Sequence, residues 1–228
     1  METIIQVRNV SKRFHRQASV LKNLNLDIPR SKLVVVKGRS GSGKTTLLNI
    51  IGGLDTPTEG SVFVDGKQIS AMGDTERSRM RRKAFGFIFQ SFALVATMSA
   101  YENIEFGLRI AGVPRRQQHL LVRDALEAVG LTKRAQHRPH ELSGGEQQRV
   151  AIARAIAHRP MVVLADEPTA ELDSRTGLHI IGIFRRLVRE QGISIVMTTH
   201  DPAIMELADL VYELEDGVIV SSVENALS

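Results

Sequence analysis

A glycine-rich loop between an apolar run and a helical pattern carries the residue types that bind phosphate. Residues 38–45 fit the pattern G-x-x-x-x-G-K-[ST]. Glycines let successive backbone N–H groups point into one concavity, and the helix that begins near Lys44 adds unpaired first-turn donors and the positive end of its dipole. Lys44 supplies a point charge for the β and γ phosphates, and the Thr45 hydroxyl suits Mg²⁺, which prefers oxygen ligands.

The loop therefore predicts a nucleoside triphosphate site. Its predicted contacts are Gly38, Arg39, Ser40, Gly41, Ser42, Gly43, Lys44, Thr45 and Thr46. The alternative is a glycine-rich turn before a structural helix, but the apolar run before the loop and the helical pattern after it supply the context that the motif requires.

Two adjacent carboxylates follow a second apolar run. Residues 161–165 are typical of a buried strand, and Asp166 and Glu167 come directly after it. Because side chains alternate between the faces of a strand, both can serve one site only if the chain turns there, as Pro168 indicates. We predict that Asp166 holds Mg²⁺ through its water shell and that Glu167 polarises an attacking water. The alternative is two acidic residues that begin an ordinary loop.

Polar side chains end two further predicted strands. The run 84–90 finishes on Gln90, whose amide can ligate a metal or orient water. The buried run 193–198 leads to His200, and open α/β sheets place ligands at the carboxyl ends of their parallel strands, where His200 can contact a γ phosphate. The alternative for each is a structural polar residue.

Phe14 is the aromatic candidate for a nucleotide contact. It either stacks on a nucleobase or belongs to the core.

A second helix start has the features of an anion site. Ser143, followed three residues later by Glu146, predicts a capping box for a helix over residues 144–158. Gly144 and Gly145 leave the first-turn N–H groups uncovered. Since no catalytic carboxylate lies near this helix start in the sequence, we predict that it completes the site of another copy of the chain.

The elements that must position these residues are strands around the loop and a long helical stretch. Alternating patterns and a hairpin signal predict a small antiparallel sheet from residues 3–8, 24–28 and 61–66. Residues 99–160 are helical in pattern, with segments at 101–109, 114–129 and 144–158, and predict a helical lobe inserted into an α/β core. Asp173 is predicted to cap a helix that runs to Gln191 and ends at Gly192, before a final hairpin at residues 216–217.

Length and composition restrict the class of protein. The 228 residues, of which 43% are hydrophobic, suffice for one domain with an inserted lobe. No run approaches the roughly 18 apolar residues of a membrane helix, and the start lacks a charged and then apolar leader, so we expect a chain that is neither membrane-spanning nor secreted. The absence of cysteine excludes disulfides and thiolate zinc sites and suits a reducing cytosol.

The net charge of +5 raises the question of nucleic acid as a partner. Aromatic residues are only 4% of the chain and tryptophan is absent, so platforms for stacking bases are scarce and we expect no nucleic-acid partner. Basic residues are concentrated in 76–83 and around Arg115, Arg116 and Arg123. These runs predict solvated helix faces, and attraction to an anionic membrane surface is the alternative.

In this order, the phosphate loop, Gln90, residues 142–149, the two carboxylates and His200 resemble the ATP-binding subunit of ABC transporters over essentially the whole chain. The most specific piece is Leu-Ser-Gly-Gly-Glu-Gln-Gln-Arg at 142–149, that family's signature. The resemblance implies an α/β P-loop NTPase (RecA-like) core with an N-terminal antiparallel β-subdomain and an inserted α-helical subdomain. It implies one domain, 1–228, with core and β-subdomain in 1–90 and 160–228 and the helical subdomain in 91–159.

The resemblance also implies how the site works. Two copies sandwich two ATP molecules head to tail, and each ATP lies between the phosphate loop of one copy and Ser143, Gly144, Gly145 and Glu146 of the other. The implied roles are adenine stacking for Phe14, Mg²⁺ sensing and contact with a membrane permease for Gln90, general base for Glu167, γ-phosphate switch for His200, and the inter-site D-loop for Asp173. The cofactors would be ATP and Mg²⁺, and the place would be cytoplasmic, on the inner face of the cell membrane through the permease.

Three stretches are similar to one branch of that family. Residues 53–60, 86–92 and 138–143 look like those of macrolide exporters, lipoprotein-release ATPases, antimicrobial-peptide resistance pumps and the cell-division ATPase FtsE. Two stretches depart from the branch pattern. Phe14 stands where tyrosine is usual, and Ala170-Glu171-Leu172-Asp173 replaces Gly-Asn-Leu-Asp, which affects the region between the two sites.

Three functions compete. The first is an ATPase coupled to a separate membrane protein, for export, extraction of lipids or lipoproteins, antimicrobial efflux, or FtsE-like regulation of cell-wall machinery without transport. The second is a soluble nucleic-acid or ribosome-linked ATPase, but such proteins carry tandem cassettes, zinc insertions or coiled coils. The third is a regulatory binder that does not hydrolyse, which would need a defective catalytic set, whereas Asp166, Glu167 and His200 are all present.

Overall fold

The computed structural model describes residues 2–14 and 19–225, so that residues 1 and 226–228 at the limits of the predicted domain lie outside the described part. Along the chain the elements are β1 (Thr3–Arg13), β2 (Ser19–Pro29), β3 (Leu33–Lys37), α1 (Lys44–Ile51), β4 (Glu59–Val64), β5 (Lys67–Gln68), α2 (Asp74–Ala84), β6 (Phe85–Ile88), α3 (Ala100–Ile110), α4 (Arg115–Ala128), α5 (Gly144–Ile156), β7 (Val162–Ala165), α6 (Ser174–Gln191), β8 (Ser194–Thr198), α7 (Pro202–Met205), β9 (Leu210–Glu215) and β10 (Val218–Glu224).

The predicted antiparallel sheet is confirmed and has four strands in the order β2-β1-β4-β5. Its first two strands are longer than the sequence predicted, because the alternation persists through the pairing of Lys12 with Leu21. The hairpin between β4 and β5 turns at Asp65 and Gly66, which both have positive φ. This sheet packs its apolar face over α1 and so braces the loop that precedes α1.

A second sheet has six strands in the order β10-β9-β3-β8-β7-β6, and all its pairs are parallel except β10 with β9. Its central strands are buried on both faces, which is why they read as continuous apolar runs. On β3, Leu33 and Val35 face one hydrophobic cluster while Val34 and Val36 face the other. The carboxyl ends of β3, β7 and β8 therefore meet at one edge, as expected for the nucleotide site.

Helices alone fill the stretch between β6 and β7, as the sequence predicted. The third of them, α5, also packs on the parallel sheet, since a Cβ on Gly86 of β6 would lie 2.3 Å from the carbonyl oxygen of Ala155. One hydrophobic cluster consequently runs from α3 and α4 through α5 to α6 and the sheet. The limits of the predicted lobe, 91–159, thus fall inside a continuous core and stay a prediction.

The basic run forms the solvated helix that the sequence predicted. Of the residues of α2, only Ala84 is buried. Within the described residues, no helix has the length and apolar character needed to cross a membrane.

Candidate functional site

A cavity of about 710 Å³ opens at the edge where β3, β7 and β8 end. It is lined by Val20, Gly38, Arg39, Ser40, Gly41, Gly43, Lys44, Thr45, Thr46, Gln90, Asp166, Glu167 and His200. The structure thus brings together the phosphate loop and all four polar groups that the sequence placed at strand ends. Among the described residues of the lining, Val20 is the one that the sequence did not indicate, because an apolar side chain does not stand out as a ligand contact.

The loop conformation depends on glycine at its two ends. A Cβ on Gly38 would lie 2.3 Å from the backbone oxygen of Leu214, a contact that no side chain tolerates. Gly43 has φ +105° and stands at the N-cap of α1, where no side chain caps the helix. Within residues 2–14 and 19–225, no side chain accepts from the first-turn N–H groups of α1, and these groups lie beside the cavity, which favours an anionic ligand.

Lys44 is held by the loop itself. Its side chain is 8% exposed, and the ammonium donates to the carbonyl oxygens of Gly38 at 2.8 Å and Arg39 at 3.1 Å. It also lies 3.8 Å from Oε1 of Glu167. The cation is therefore positioned between the loop and the predicted general base, where a phosphate in the cavity would meet it with little screening by water.

Asp166 and Thr45 present oxygen atoms to one point of the cavity. The Thr45 hydroxyl donates to Oδ2 of Asp166 at 2.7 Å, and the Thr198 hydroxyl donates to Oδ1 at 2.7 Å. Gln90 lines the same cavity with a third polar group. Hydroxyl, carboxylate and amide oxygens are the donor set that Mg²⁺ prefers, so the residues present fit a magnesium ion.

Glu167 leaves the strand with a turn that the sequence anticipated from Pro168. Its backbone is left-handed, with φ 45°, and its N–H donates to the Thr198 hydroxyl at 2.8 Å. This backbone brings the side chain into the cavity together with that of Asp166, although the two are adjacent in sequence. His200 Nδ1 lies 3.6 Å from Oε2 of Glu167.

Thr198 is a site residue that the sequence reasoning missed. It is fully buried, and one hydroxyl group serves both neighbours, as donor to Asp166 and acceptor from the N–H of Glu167. Its place at the end of a buried strand could have marked Thr198 as a candidate site residue. Its two hydrogen-bond partners could not be foreseen, because they follow from the pairing of β7 with β8.

We expect Thr198→Val to weaken both stability and catalysis. Valine keeps the shape but leaves the N–H of Glu167 without its buried acceptor, which costs about 1–3 kcal/mol in the free energy of unfolding. A small displacement of Glu167 should also lower the rate of ATP hydrolysis by about 10- to 100-fold. Denaturant unfolding and steady-state ATPase assays measure the two effects.

Ser194→Ala provides the matched control for Thr198→Val. Ser194 is also buried on β8, at the opposite end, and its hydroxyl accepts a 2.9 Å bond from the N–H of Ser31. Its loss should destabilise the fold to a similar degree and leave hydrolysis unchanged. Equal losses of hydrolysis in the two variants would mean that Thr198 has only a structural role.

Two predicted contacts of the nucleotide lie outside the cavity lining. Phe14 is 39% exposed, so the alternative that it belongs to the core is wrong, and Lys12 Nζ lies 4.8 Å from its ring centre. Ser42 is buried, and its hydroxyl points beneath the loop, 2.7 Å from the position of a Cβ on Gly38. Its backbone N–H donates to the carbonyl of Arg39 at 3.2 Å, so Ser42 shapes the loop from inside.

The predicted capping box of α5 is present. The Glu146 N–H donates to Ser143 Oγ at 3.3 Å, and the Ser143 N–H donates to Oε2 of Glu146 at 2.9 Å. That backbone N–H, chiefly, keeps the pKa of Glu146 below its usual value, and Arg134 adds a 3.0 Å contact. Glu146 is thus occupied in holding the helix start, while Ser143 stays exposed.

Gly145 also has a packing role that the sequence did not suggest. It is buried, and a Cβ there would lie 2.5 Å from Cγ2 of Thr176 on α6. Thr176 in turn donates its hydroxyl to Asp173, the N-cap of α6, and this bond is the main cause of the lowered pKa of Asp173. Close packing of α5 on α6 therefore requires glycine at 145, and Gly144 is the half-exposed one.

A second missed residue, Gln148, links the two halves of the predicted machinery. It is fully buried, its amide donates to the carbonyl oxygen of Pro168, and its Oε1 has no hydrogen-bond partner among the described residues. The helix that begins at Ser143 is thereby tied to the residue that follows Glu167. Apart from its place within the signature run, nothing in the sequence singles out this glutamine.

Comparisons with known proteins identify a family and relatives that this chain resembles. A family described as "ABC transporter" matches residues 21–170. An uncharacterized ABC transporter ATP-binding protein of Methanocaldococcus jannaschii is 44% identical over 95% of this chain and 98% of its own length. A macrolide export ATP-binding/permease protein MacB of Paracoccus denitrificans is 44% identical over 96% of this chain, which spans only 33% of that protein.

A solved structure resembles the whole chain. It is an ATP-binding cassette in a dimeric, post-hydrolysis state bound to ADP and Pi, and it superposes with a TM-score of 0.88 at 37% identity, covering 99% of this chain and 100% of the other. The predicted fold is thus confirmed.

Proposed function

The chain belongs to the ABC transporter family as an ATP-binding subunit and is an ATPase, and from that premise we propose that two copies close head to tail around two ATP molecules and drive a membrane protein. The observation that carries the proposal is the composition of the cavity. Among the described residues, those that line it include all three predicted catalytic side chains, Lys44, Glu167 and His200, but none from 143–146. The second exposed helix start then has a role only at another copy's nucleotide.

We propose the following division of labour around each ATP. Lys44 and the N–H groups of the loop bind the β and γ phosphates, and Glu167 accepts the proton of the attacking water. His200, which lies near Oε2 of Glu167 whereas Lys44 lies near Oε1, contacts the γ phosphate. The partner's Ser143 and Gly144 supply donors where negative charge develops during transfer. Closure therefore requires ATP, and hydrolysis removes the group that joins the two copies.

Thr45, Asp166 and Gln90 are the residues that we propose to hold Mg²⁺. The bound ion would neutralise charge on the β and γ phosphates. The 2.7 Å separation of Thr45 Oγ1 and Asp166 Oδ2 supports this assignment, because both oxygens face the cavity. Phe14 is proposed to stack on adenine at the rim, and Asp173 to lie where the two copies meet.

The proposed membrane partner would dock in a groove between α2, α3, α5 and β6. Exposed apolar side chains line this cavity of about 550 Å³, namely Leu54, Phe89, Phe106 and Ile110. Arg81, Arg82 and Arg154 line it as well, so an amphipathic helix with acidic groups is the complementary partner. Gln90 follows Phe89 directly and lines the ATP cavity, so a partner that contacts Phe89 in the groove would also affect the position of Gln90 at the nucleotide. The relatives named macrolide export ATP-binding/permease proteins support a permease as the partner, and the subunit would then lie at the inner face of the membrane.

Ser143→Arg tests the shared site. The arginine side chain should sterically prevent the partner's ATP from reaching the N-terminus of α5. ATP-dependent dimers should therefore disappear in analytical ultracentrifugation, and the rate of hydrolysis should fall by at least about 100-fold. Binding of ATP to the monomer's own loop should not change. Loss of the cap costs about 1 kcal/mol of stability.

Ser99→Ala controls for that loss, because Ser99 caps α3 with the same kind of box, including a bond from the N–H of Glu102 at 3.2 Å. Its variant should dimerise and hydrolyse as the unmodified chain does. If Ser143→Arg still forms ATP-dependent dimers with normal hydrolysis, the shared site is wrong.

Ile110→Asp tests the groove. Ile110 is 51% exposed, so the substitution should change stability by no more than about 0.5 kcal/mol. In the host cell, the share of the subunit that sediments with membranes should fall about tenfold, since an apolar anchor at an interface contributes about 1–2 kcal/mol. Leu120→Asp, on α4 outside the groove and 50% exposed, should leave that share unchanged. Equal membrane binding of all three chains would reject the groove as the docking site.

A further inference from the structure

Two exposed charged side chains, those of Arg39 and Glu171, have no ion-pair or hydrogen-bond partner within the described part of the subunit. Arg39 lies in the phosphate loop, and Glu171 lies in the turn that departs from the branch pattern. Both are exposed, and neither side chain forms an ion pair or a hydrogen bond with any residue that the structure describes. Their opposite charges raise the question of whether they meet in the assembled protein.

Residues 167–173, which we call the bridging segment, connect the chain's own catalytic edge to its own signature helix. The segment begins at Glu167 in the cavity, and Pro168 accepts the bond from Gln148 of α5. Internal bonds keep it compact, from the N–H of Ala170 to the carbonyl of Glu167 and from that of Leu172 to Thr169, both 3.1 Å. At its far end Leu172 lies 3.7 Å from the position of a Cβ on Gly144.

Symmetry then fixes where the bridging segment lies in the proposed dimer. Each copy's catalytic edge belongs to one ATP site and its signature helix to the other. A segment that joins the two must run from one site toward the other, through the middle of a two-fold interface. Glu171 is exposed and precedes Leu172, which lies beside the signature, so the proposed dimer would bring Glu171 close to the partner's phosphate loop.

We propose that Glu171 of each copy forms an ion pair with Arg39 of the partner's phosphate loop, and that these two pairs help ATP to close the dimer. This inference rests on the proposed head-to-tail dimer. Arg39 belongs to the lining of the ATP cavity, so a partner carboxylate that reaches its side chain would lie close to the bound nucleotide. Charge pairs of this kind affect association and specificity across an interface.

Charge reversal followed by mixing tests the pair. In a Glu167→Gln parent with saturating ATP, Arg39→Glu or Glu171→Arg alone should raise the dimer dissociation constant by about 10- to 100-fold, because each places two like-charged pairs in a homodimer. An equimolar mixture of the two variants should recover heterodimers with nearly the parent's affinity. In a heterodimer, position 39 of each copy faces an opposite charge at position 171 of the other.

Native mass spectrometry with a mass tag on one variant counts homodimers and heterodimers directly. Arg39→Glu should also weaken ATP binding to its own loop, and ATP affinity measured on each monomer corrects for that loss. Mixing does not alter the affinity of a monomer, so the recovery reports the interface alone. The recovery should vanish in about 1 M salt, which screens exposed charges beyond about 3 Å.

Arg175→Glu mixed with Glu171→Arg is the matched control, because Arg175 is an exposed cation only four positions after Glu171 in the sequence. Recovery in that mixture, with none for Arg39→Glu, would overturn the proposed pairing. A dimer that tightens with Glu171→Arg alone would overturn it too, by showing repulsion between two Glu171 side chains. A parent that stays monomeric with ATP would reject the proposed function and with it the pair, whereas a dimeric parent without recovery on mixing would reject the pair alone.

Discussion

Glu167→Gln is expected to bind ATP as tightly as the unmodified chain and to hydrolyse it about 10²- to 10⁴-fold more slowly. Glutamine keeps the size and the hydrogen-bonding reach of glutamate, but its amide cannot accept the proton of the attacking water. A general base typically contributes a factor of this size. The bound triphosphate would then persist, and the two copies would stay closed around it.

The local structure makes this substitution a clean one. The position of residue 167 is set by its backbone, through the left-handed φ of 45° and the 2.8 Å bond from its N–H to Thr198. Neither depends on the charge of the side chain. The two contacts of the carboxylate are the weaker ones, 3.8 Å to Lys44 Nζ and 3.6 Å to His200 Nδ1. The fold and the loop should therefore survive unchanged.

Two measurements separate binding from chemistry. Isothermal titration with ATP gives the affinity, and analytical ultracentrifugation with ATP gives the fraction of dimer. Glu190→Gln, at the exposed end of α6 beside Arg189, is the matched control and should behave as the unmodified chain. A Glu167→Gln variant that hydrolyses normally and stays monomeric with ATP would contradict both the general base and the dimer.

The sequence predicted those parts of the fold that are determined by neighbouring residues within one turn of the chain. The cap at Asp173 and the left-handed Gly192 define α6 at the residues predicted, because both are decided by backbone and side chain within one turn. The strand before Lys37 and the loop after it were equally local. The branch resemblance to macrolide exporters likewise followed from short stretches and agrees with the 44% identity of a MacB protein.

What the sequence did not reveal depends on contacts between distant elements. The requirement for glycine at 145 comes from Thr176, which lies in another helix and approaches only after α5 packs on α6. The groove that exposes Phe106 and Ile110 is formed by four separate elements, so no single stretch announces it. The bond from Gln148 to Pro168 likewise joins residues that share no local motif. The motifs thus identified the residues proposed to contact the nucleotide, whereas the residues that hold these in position became evident only from the tertiary packing.

Lys44→Ala is expected to lose measurable ATP binding. The side chain is nearly buried by the loop, so its charge would act on a phosphate in the cavity with little competition from water. Removing one partner of such a buried, hydrogen-bonded charge pair costs about 2–5 kcal/mol, which is a rise of about 30- to several thousand-fold in the dissociation constant. Isothermal titration measures that rise.

Thermal unfolding distinguishes loss of binding from loss of fold. ATP at 100 times the dissociation constant should stabilise the unmodified chain by about 2.7 kcal/mol, and this gain should disappear in Lys44→Ala. Lys37→Ala is the matched control, because Lys37 ends β3 just before the loop yet pairs with Glu213 at 3.0 Å, outside the cavity lining. It should keep the gain, because Lys37 and its half-exposed partner Glu213 both lie outside the cavity lining. If Lys44→Ala is stabilised by ATP as fully as Lys37→Ala, the triphosphate does not lie on this loop, and every role assigned around the cavity would have to be moved.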